Sequence, residues 1–275
     1  MTIAPPTLSP ELLARYDRPV PRYTSYPTAP HFHDGVNADL YRQWLSRVPA
    51  QEALSLYLHV PFCAKMCWYC GCHTKVVGQY APIAAYARTL SREIGLAADA
   101  IGRKARVAHI HWGGGTPTIL AADDFRRLMA DLRERFDVRT DAEIAVEADP
   151  RTLDAGRVAA LADSGVNRVS LGVQDLNPHV QEAINRVQPF EQVADAVNKL
   201  RAAGIMAFNA DLMYGLPYQT EADVRRTVDL IASLRPSRLA VFGYAHVPWM
   251  KTHQKMIPDA ALPDGPARLT QARVA

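Results

Sequence analysis

The chain has 275 residues, 48% of them hydrophobic and 21% charged, with a formal net charge of +3. That composition is globular rather than disordered, is long enough for one large domain or two ordinary ones, and lacks the positive excess that nucleic-acid binding usually brings. No apolar run of about 18 residues suggests a membrane span, and the first thirty residues carry several prolines, Glu11 and Asp17 but no apolar signal-peptide core, so the expectation is a soluble cytoplasmic protein with neither a membrane nor a nucleic acid as partner.

Residues 1–50 read as a proline-punctuated extension with one short helix near 39–48. From residue 54 onward, strand-like and helix-like stretches alternate, which argues for parallel β/α units. The predicted strands are 54–60, 107–112, 143–147, 168–174, 206–214 and 238–245. Between them, Phe125, Leu128, Met129, Leu132 and Phe136 keep helical period, as do Val193, Val197 and Leu200. Thr220 with Asp223 forms a capping pair, Gly165 and Gly204 sit at helix C-termini, and Pro236 closes the last helix. Six successive units give an open (β/α)6 partial TIM barrel, in which functional groups gather at the C-terminal ends of the strands. The domain boundaries that follow are 1–50 for the extension, 51–250 for the barrel and 251–275 for a linker toward a C-terminal region that is not included. The last stretch is poor in strand pattern.

Cys63, Cys67, Cys70 and Cys72, the only four cysteines, fall within ten residues directly after the first strand. Cysteines that close rarely reach disulfide geometry, and the chain is no small stapled domain. Structural zinc usually draws on two separated ligand pairs, and here there is no second pair. A loop bearing Cys-x3-Cys-x2-Cys can instead give three thiolates to three irons of a cubane and leave the fourth iron open, whereas four-iron clusters ordinarily take four protein thiolates.

Other strand ends carry polar or stripped-down groups. Gly113, Gly114 and Gly115 remove every Cβ from the end of the second strand and let a ligand touch the backbone. Glu147 ends the third strand, with a structural salt bridge as its plainer use. Gln174 ends the fourth. Arg186 follows that strand, and could fork onto a carboxylate, although its sequence context alone favours a solvated surface arginine. Asp211 stands within an apolar strand and needs a partner, for which ribose hydroxyls are suited. Tyr57 and His59 alternate with Leu56, Leu58 and Val60, and lining one face of the strand is their simplest role.

The cysteine spacing, with Tyr69 just before the third cysteine, resembles the radical S-adenosylmethionine (SAM) superfamily, in which SAM chelates the open iron. The stretch from Arg22 through Tyr23, Thr24, Ser25, Tyr26 and Pro27 to Thr28, the additional Cys72, and the segments around His111, Leu171, Asp211 and Tyr244 narrow the similarity to the oxygen-independent coproporphyrinogen III oxidases, also called coproporphyrinogen dehydrogenases. That resemblance implies a [4Fe-4S] cluster on Cys63, Cys67 and Cys70, with Cys72 not a ligand, and two SAM molecules. Tyr69, Gly115, Thr116, Gln174, Arg186, Asp211 and Ala245 match positions contacting one SAM; Tyr57, Gly114 and Glu147 match positions contacting the other. The implied reaction of haem synthesis converts two propionates of coproporphyrinogen III to vinyls, giving protoporphyrinogen IX. Reductive cleavage of SAM gives a 5′-deoxyadenosyl radical that takes hydrogen from the propionate β-carbon; carbon dioxide leaves and an acceptor removes the last electron. An electron donor such as a flavodoxin or ferredoxin and a monomeric state complete the expectation.

Members of that family are longer, with a C-terminal domain over the barrel mouth, so a fold and a cluster are expected of this chain more firmly than turnover. Cys72, Tyr57 and His59 are the candidates for a catalytic acid or base. Competing readings are a haem-binding chaperone on the same barrel, a radical SAM enzyme that modifies RNA, and a zinc-stabilised binding module without catalysis.

Overall fold

The structure, a computed structural model, describes residues 9–16 and 26–275. Residues 22–25 of the stretch beginning at Arg22 therefore lie outside the described residues. Strand β1 (Leu54–Val60) leads into two-residue strands β2 (Phe62–Cys63) and β3 (Lys75–Val76), which pair with each other. With β4 (Arg106–Gly114), β5 (Asp137–Ala148), β6 (Arg168–Gln174), β7 (Ala207–Tyr214) and β8 (Arg238–Gly243), β1 forms a six-stranded sheet in the order β1-β4-β5-β6-β7-β8, every pair parallel. The sheet order starts at β1 and ends at β8, so the barrel is open, as the strand count led one to expect.

Parallel neighbours need helical crossovers. They are α3 (Ala81–Ile101), α4 (Ala122–Arg135), α5 (Ala155–Asp163), α6 (Pro178–Ala183) with α7 (Phe190–Ala202), and α8 (Glu221–Ser233). The Thr220–Asp223 capping box closes on both sides, and Gly165 and Gly204 take φ values of 77° and 85° just past α5 and α7. Those angles are left-handed, where glycine is at least cost. Earlier in the chain lie α1 (Pro10–Tyr16) and α2 (Ala38–Ser46), the latter within two residues of its expected bounds.

Alternation along the strands separates two environments. Ile110, Trp112, Ile144, Val146, Val169, Leu171, Phe208 and Ala210 face outward and join the helices in the main core. The other parity, including Tyr57, His59, His111, Glu147, Ser170, Asn209 and Asp211, is less buried. Parallel strands normally bury both faces in apolar contacts. A polar inner face marks this one as a site rather than a core.

Three departures from the sequence reading have physical causes. Strand β4 runs on through Gly114, because its glycines still pair with His59 and Val60 of β1. Strand β5 starts at Asp137 rather than 143, its first two residues pairing with Arg106 and Val107 before a register shift. Beyond β8, a short 3-10 helix (Thr252–Met256) and α9 (Gly265–Val274) give the C-terminal stretch structure that no apolar period announced. Gln271 docks α9 instead, accepting from Gly215 N at 2.9 Å and donating to Gln219 O at 2.6 Å.

Candidate active site

The cysteine loop is stitched down from several directions. Lys75 N donates to Pro61 O at 2.8 Å and Val77 N to Cys63 O at 3.1 Å, closing its base. The end of β4 presses against its start: Gly115 N donates to Val60 O at 2.9 Å and Thr116 N to Phe62 O at 2.8 Å. A Cβ on Gly115 would stand 2.6 Å from Phe62 O and 2.5 Å from Thr74 Oγ1, so the third glycine is there for close approach. Opposite, Trp68 N donates to Ile184 O at 3.0 Å and Asn185 Nδ2 to Met66 O at 2.8 Å. Trp68 and Tyr69 also pack on a small apolar cluster of Val180, Ile184, Leu216, Tyr244 and Ile257.

Residues after β8 complete the grip. Gln254, 1% exposed, donates to Tyr69 O at 3.0 Å and Ala245 O at 3.3 Å, while accepting from Val247 N at 2.6 Å. His253 Nε2 donates to Cys70 O at 2.7 Å and Lys251 Nζ to Cys72 O at 3.1 Å. Sequence reasoning missed all three, since polar residues in a patternless segment carry no signal of what they will touch.

All four thiols are free, with Cys67 buried, Cys63 and Cys70 half-buried and Cys72 exposed. Thr74 Oγ1 donates to Cys63 Sγ at 3.1 Å, with Thr116 Oγ1 at 3.5 Å. Cys67 Sγ accepts from Arg186 Nη1 at 3.4 Å and Arg151 Nη2 at 3.5 Å; Cys70 Sγ accepts from Cys72 N at 3.4 Å. Each sulfur of the Cys-x3-Cys-x2-Cys set thus has a donor suited to thiolate charge. Burial pushes the Cys63 thiol up, a cost that coordination would offset. Among the described residues, no three Cys, His, Asp or Glu side chains gather as for one ion. A cubane takes its thiolates on separate irons, and is compatible with that spacing.

On the inner face, Tyr57 stacks on His111 with centroids 5.8 Å apart, and its hydroxyl lies 3.1 Å from His59 Nδ1. His59 Nε2 donates to His73 O at 3.1 Å. Glu147 receives His111 Nε2 at 3.2 Å and Gly114 N at 3.2 Å, bringing Tyr57, Gly114 and Glu147 into one group. Tyr57 and His59 do share one face of β1, and that face is the polar one. His111 joins them, a residue the sequence reading quoted but gave no role. Asp211, pushed up by burial, accepts from Ser170 Oγ at 2.9 Å and Asn209 Nδ2 at 2.7 Å. Its required partners are on hand.

Arg186 corrects the surface-arginine default. It is 6% exposed, with Nη2 donating to Gly172 O, Nη1 3.4 Å from Asp149, and Nε buried without a partner among the described residues. Gln174, at φ 68°, brings its amide to 3.2 Å from where a Gly172 Cβ would be, beside Arg186. A non-glycine residue at that angle carries strain of a kind often found at functional sites. Burial raises the Asp149 carboxyl, but Arg186 and Arg151 outweigh it and hold the group below its ordinary value. Asp149 and Arg151, flanking Pro150 just past β5, are further residues without a predicted role. Of the remaining candidates, Thr116 is buried beside Cys63, whereas Ala245 is exposed and shares Gln254 as a hydrogen-bond partner with Tyr69.

Comparison with known proteins agrees with this geometry. The family model of the radical SAM superfamily matches residues 57–231. An oxygen-independent coproporphyrinogen III oxidase of Bradyrhizobium diazoefficiens is 60% identical over 253 residues, covering 92% of this chain and 56% of the relative. One of the same description from Paracoccus denitrificans is 45% identical over 94% of this chain and 57% of its own length. The structure of the Escherichia coli coproporphyrinogen III oxidase, described as a radical SAM enzyme, superposes with a TM-score of 0.87 at 39% identity, covering 95% of this chain and 58% of that one. The chain therefore spans somewhat more than half the length of these relatives.

Proposed function

Because the chain belongs to the radical SAM superfamily, we propose that it is the barrel portion of an oxygen-independent coproporphyrinogen III oxidase, converting propionates of coproporphyrinogen III to vinyl groups. The observation that carries this reading is the loop with three sulfurs, each met by a donor, at the mouth of a polar-lined open barrel. The 60% identity to a coproporphyrinogen III oxidase supports the choice of substrate.

On this reading residues 51–250 are the barrel. Cys63, Cys67 and Cys70 would hold a [4Fe-4S] cluster that SAM would complete. When bound, that cluster would supply the one-electron reduction of SAM on which oxidative decarboxylation of a propionate depends. The chain's part is to bind and orient. Arg186 would offer a fixed guanidinium for the SAM carboxylate, Asp211 and Gln174 would bind the ribose, and Tyr69, Gly115, Thr116 and Ala245 would border the same molecule. Tyr57, Gly114 and Glu147 would border a second SAM. Tyr57 with His59, and Cys72 on the loop, are the groups placed to hold or move a proton. A flavodoxin or ferredoxin is the proposed donor, with the chain acting as a monomer in the cytoplasm.

The test is anaerobic incubation of the reconstituted chain with SAM, reductant and coproporphyrinogen III. Formation of 5′-deoxyadenosine that increases with the porphyrinogen is expected. Stoichiometric haem binding by a chain that cleaves no SAM would replace this reading with the haem-binding one.

A further inference from the structure

Among the described residues, Cys67 is the one thiol of the loop hydrogen-bonded to two cationic side chains. Arg186 Nη1 stands 3.4 Å from its sulfur and Arg151 Nη2 3.5 Å. Neither arginine is free to swing. Arg151 forks onto Asp149, with Nε 3.0 Å from Oδ1 and Nη2 2.6 Å from Oδ2, and Asp149 Oδ1 also accepts Arg151 N at 3.0 Å. The same carboxylate lies 3.4 Å from Arg186 Nη1. Side-chain exposures of 14%, 10% and 8% for Arg151, Asp149 and Arg186 leave little water to screen them. Two guanidiniums against one carboxylate leave a net positive charge, locked in place at one sulfur.

We propose that Arg151, whose charge Asp149 only partly offsets, is a positioning residue that raises the reduction potential of an iron-sulfur cluster held through Cys67. The proposal rests on the reading that Cys67 is a cluster ligand. Reduction adds one electron, delivered by the low-potential donor, and so one negative charge to the cluster. A fixed cation close by stabilises the reduced form more than the oxidised one, and an N–H donated to a coordinating sulfur withdraws electron density in the same sense. Poor screening in a buried setting strengthens both effects. Arg186 has a second task on the proposed reading, binding SAM. Arg151 has none, so its effect on the potential can be read alone.

Charge variants test the sign. The chain, its R151Q, R151K and D149N variants are reconstituted anaerobically without SAM, assayed for iron and sulfide, checked for secondary structure by circular dichroism, and titrated redox-wise with the reduced-cluster EPR signal as readout. R151Q is expected to shift the midpoint negative, R151K less so because the charge remains without the fork, and D149N positive. A role confined to folding would move none of these in opposite directions. Equal midpoints in R151Q and the parent, or a shift of the same sign in R151Q and D149N, overturns the proposal. If R151Q holds no cluster, the direction of the D149N shift decides. A parent chain that assembles no cluster refutes the ligand reading itself, and is told apart from a failed proposal by the iron and sulfide content.

Discussion

Cys72 lends its backbone N–H to the Cys70 sulfur from an exposed position two residues beyond the Cys-x3-Cys-x2-Cys set. A serine there keeps that N–H, so Cys72→Ser should retain the iron content of the parent chain, whereas serine at 63, 67 or 70 should each lose most of it; iron and sulfide analysis after anaerobic reconstitution checks both. The His111–Glu147 pair predicts a pH effect. Its hydrogen bond holds the imidazole above the ordinary value of about 6.5 against the opposing pull of burial. A raised folded-state value means that the pair's contribution to stability is full below about pH 6.5 and disappears as pH rises through the higher folded midpoint. Side-chain exposures of 44% and 40% keep that contribution small. NMR titration should give a His111 midpoint that falls toward the ordinary value in Glu147→Gln; an unchanged midpoint would show that Glu147 is not its cause. At this scale the sequence was readable where chemistry is local, as in the cysteine spacing. It was silent for Arg151 and Gln254, and left the burial of Arg186 unread, because their partners in the cysteine loop lie 84, 185 and 119 residues away along the chain.

Element by element, legibility followed the source of each segment's stability. Strands with strict alternation and helices with an apolar stripe announce themselves because their burial is periodic, and the capping box before α8 is purely local. Helix α9 buries only Gln271 and is tied by amide hydrogen bonds, so no pattern could mark it. The first half of β5 likewise depends on its pairing with β4. The triple glycine reads as backbone exposed to a ligand, yet at Gly115 the structure adds a packing requirement. Gly115→Ala forces a methyl against the Phe62 carbonyl, an overpacking that should cost about 1–3 kcal/mol. Urea unfolding of the cluster-free chain would read it. Parental stability in that variant would mean that β4 and the cysteine loop do not meet as described.

The whole molecule divides its labour between the two sides of a single sheet. Val169, Leu171 and their neighbours pack the outer side against the helices, leaving the inner side free to carry Tyr57, His111, Glu147 and Asp211. The cysteine loop spans this division: β1 and β4 hold its base, while Gln254, His253 and Lys251 hold its top from beyond β8. Such clamping suits a loop that must present sulfur in fixed geometry while leaving room for a small molecule. The central claim is that three thiolates hold the cluster and one iron stays open to SAM. EPR of the reduced, fully reconstituted chain before and after adding SAM tests it most directly. The account predicts altered g values with SAM bound; an identical spectrum at saturating SAM, in a sample with full iron and sulfide, would contradict it.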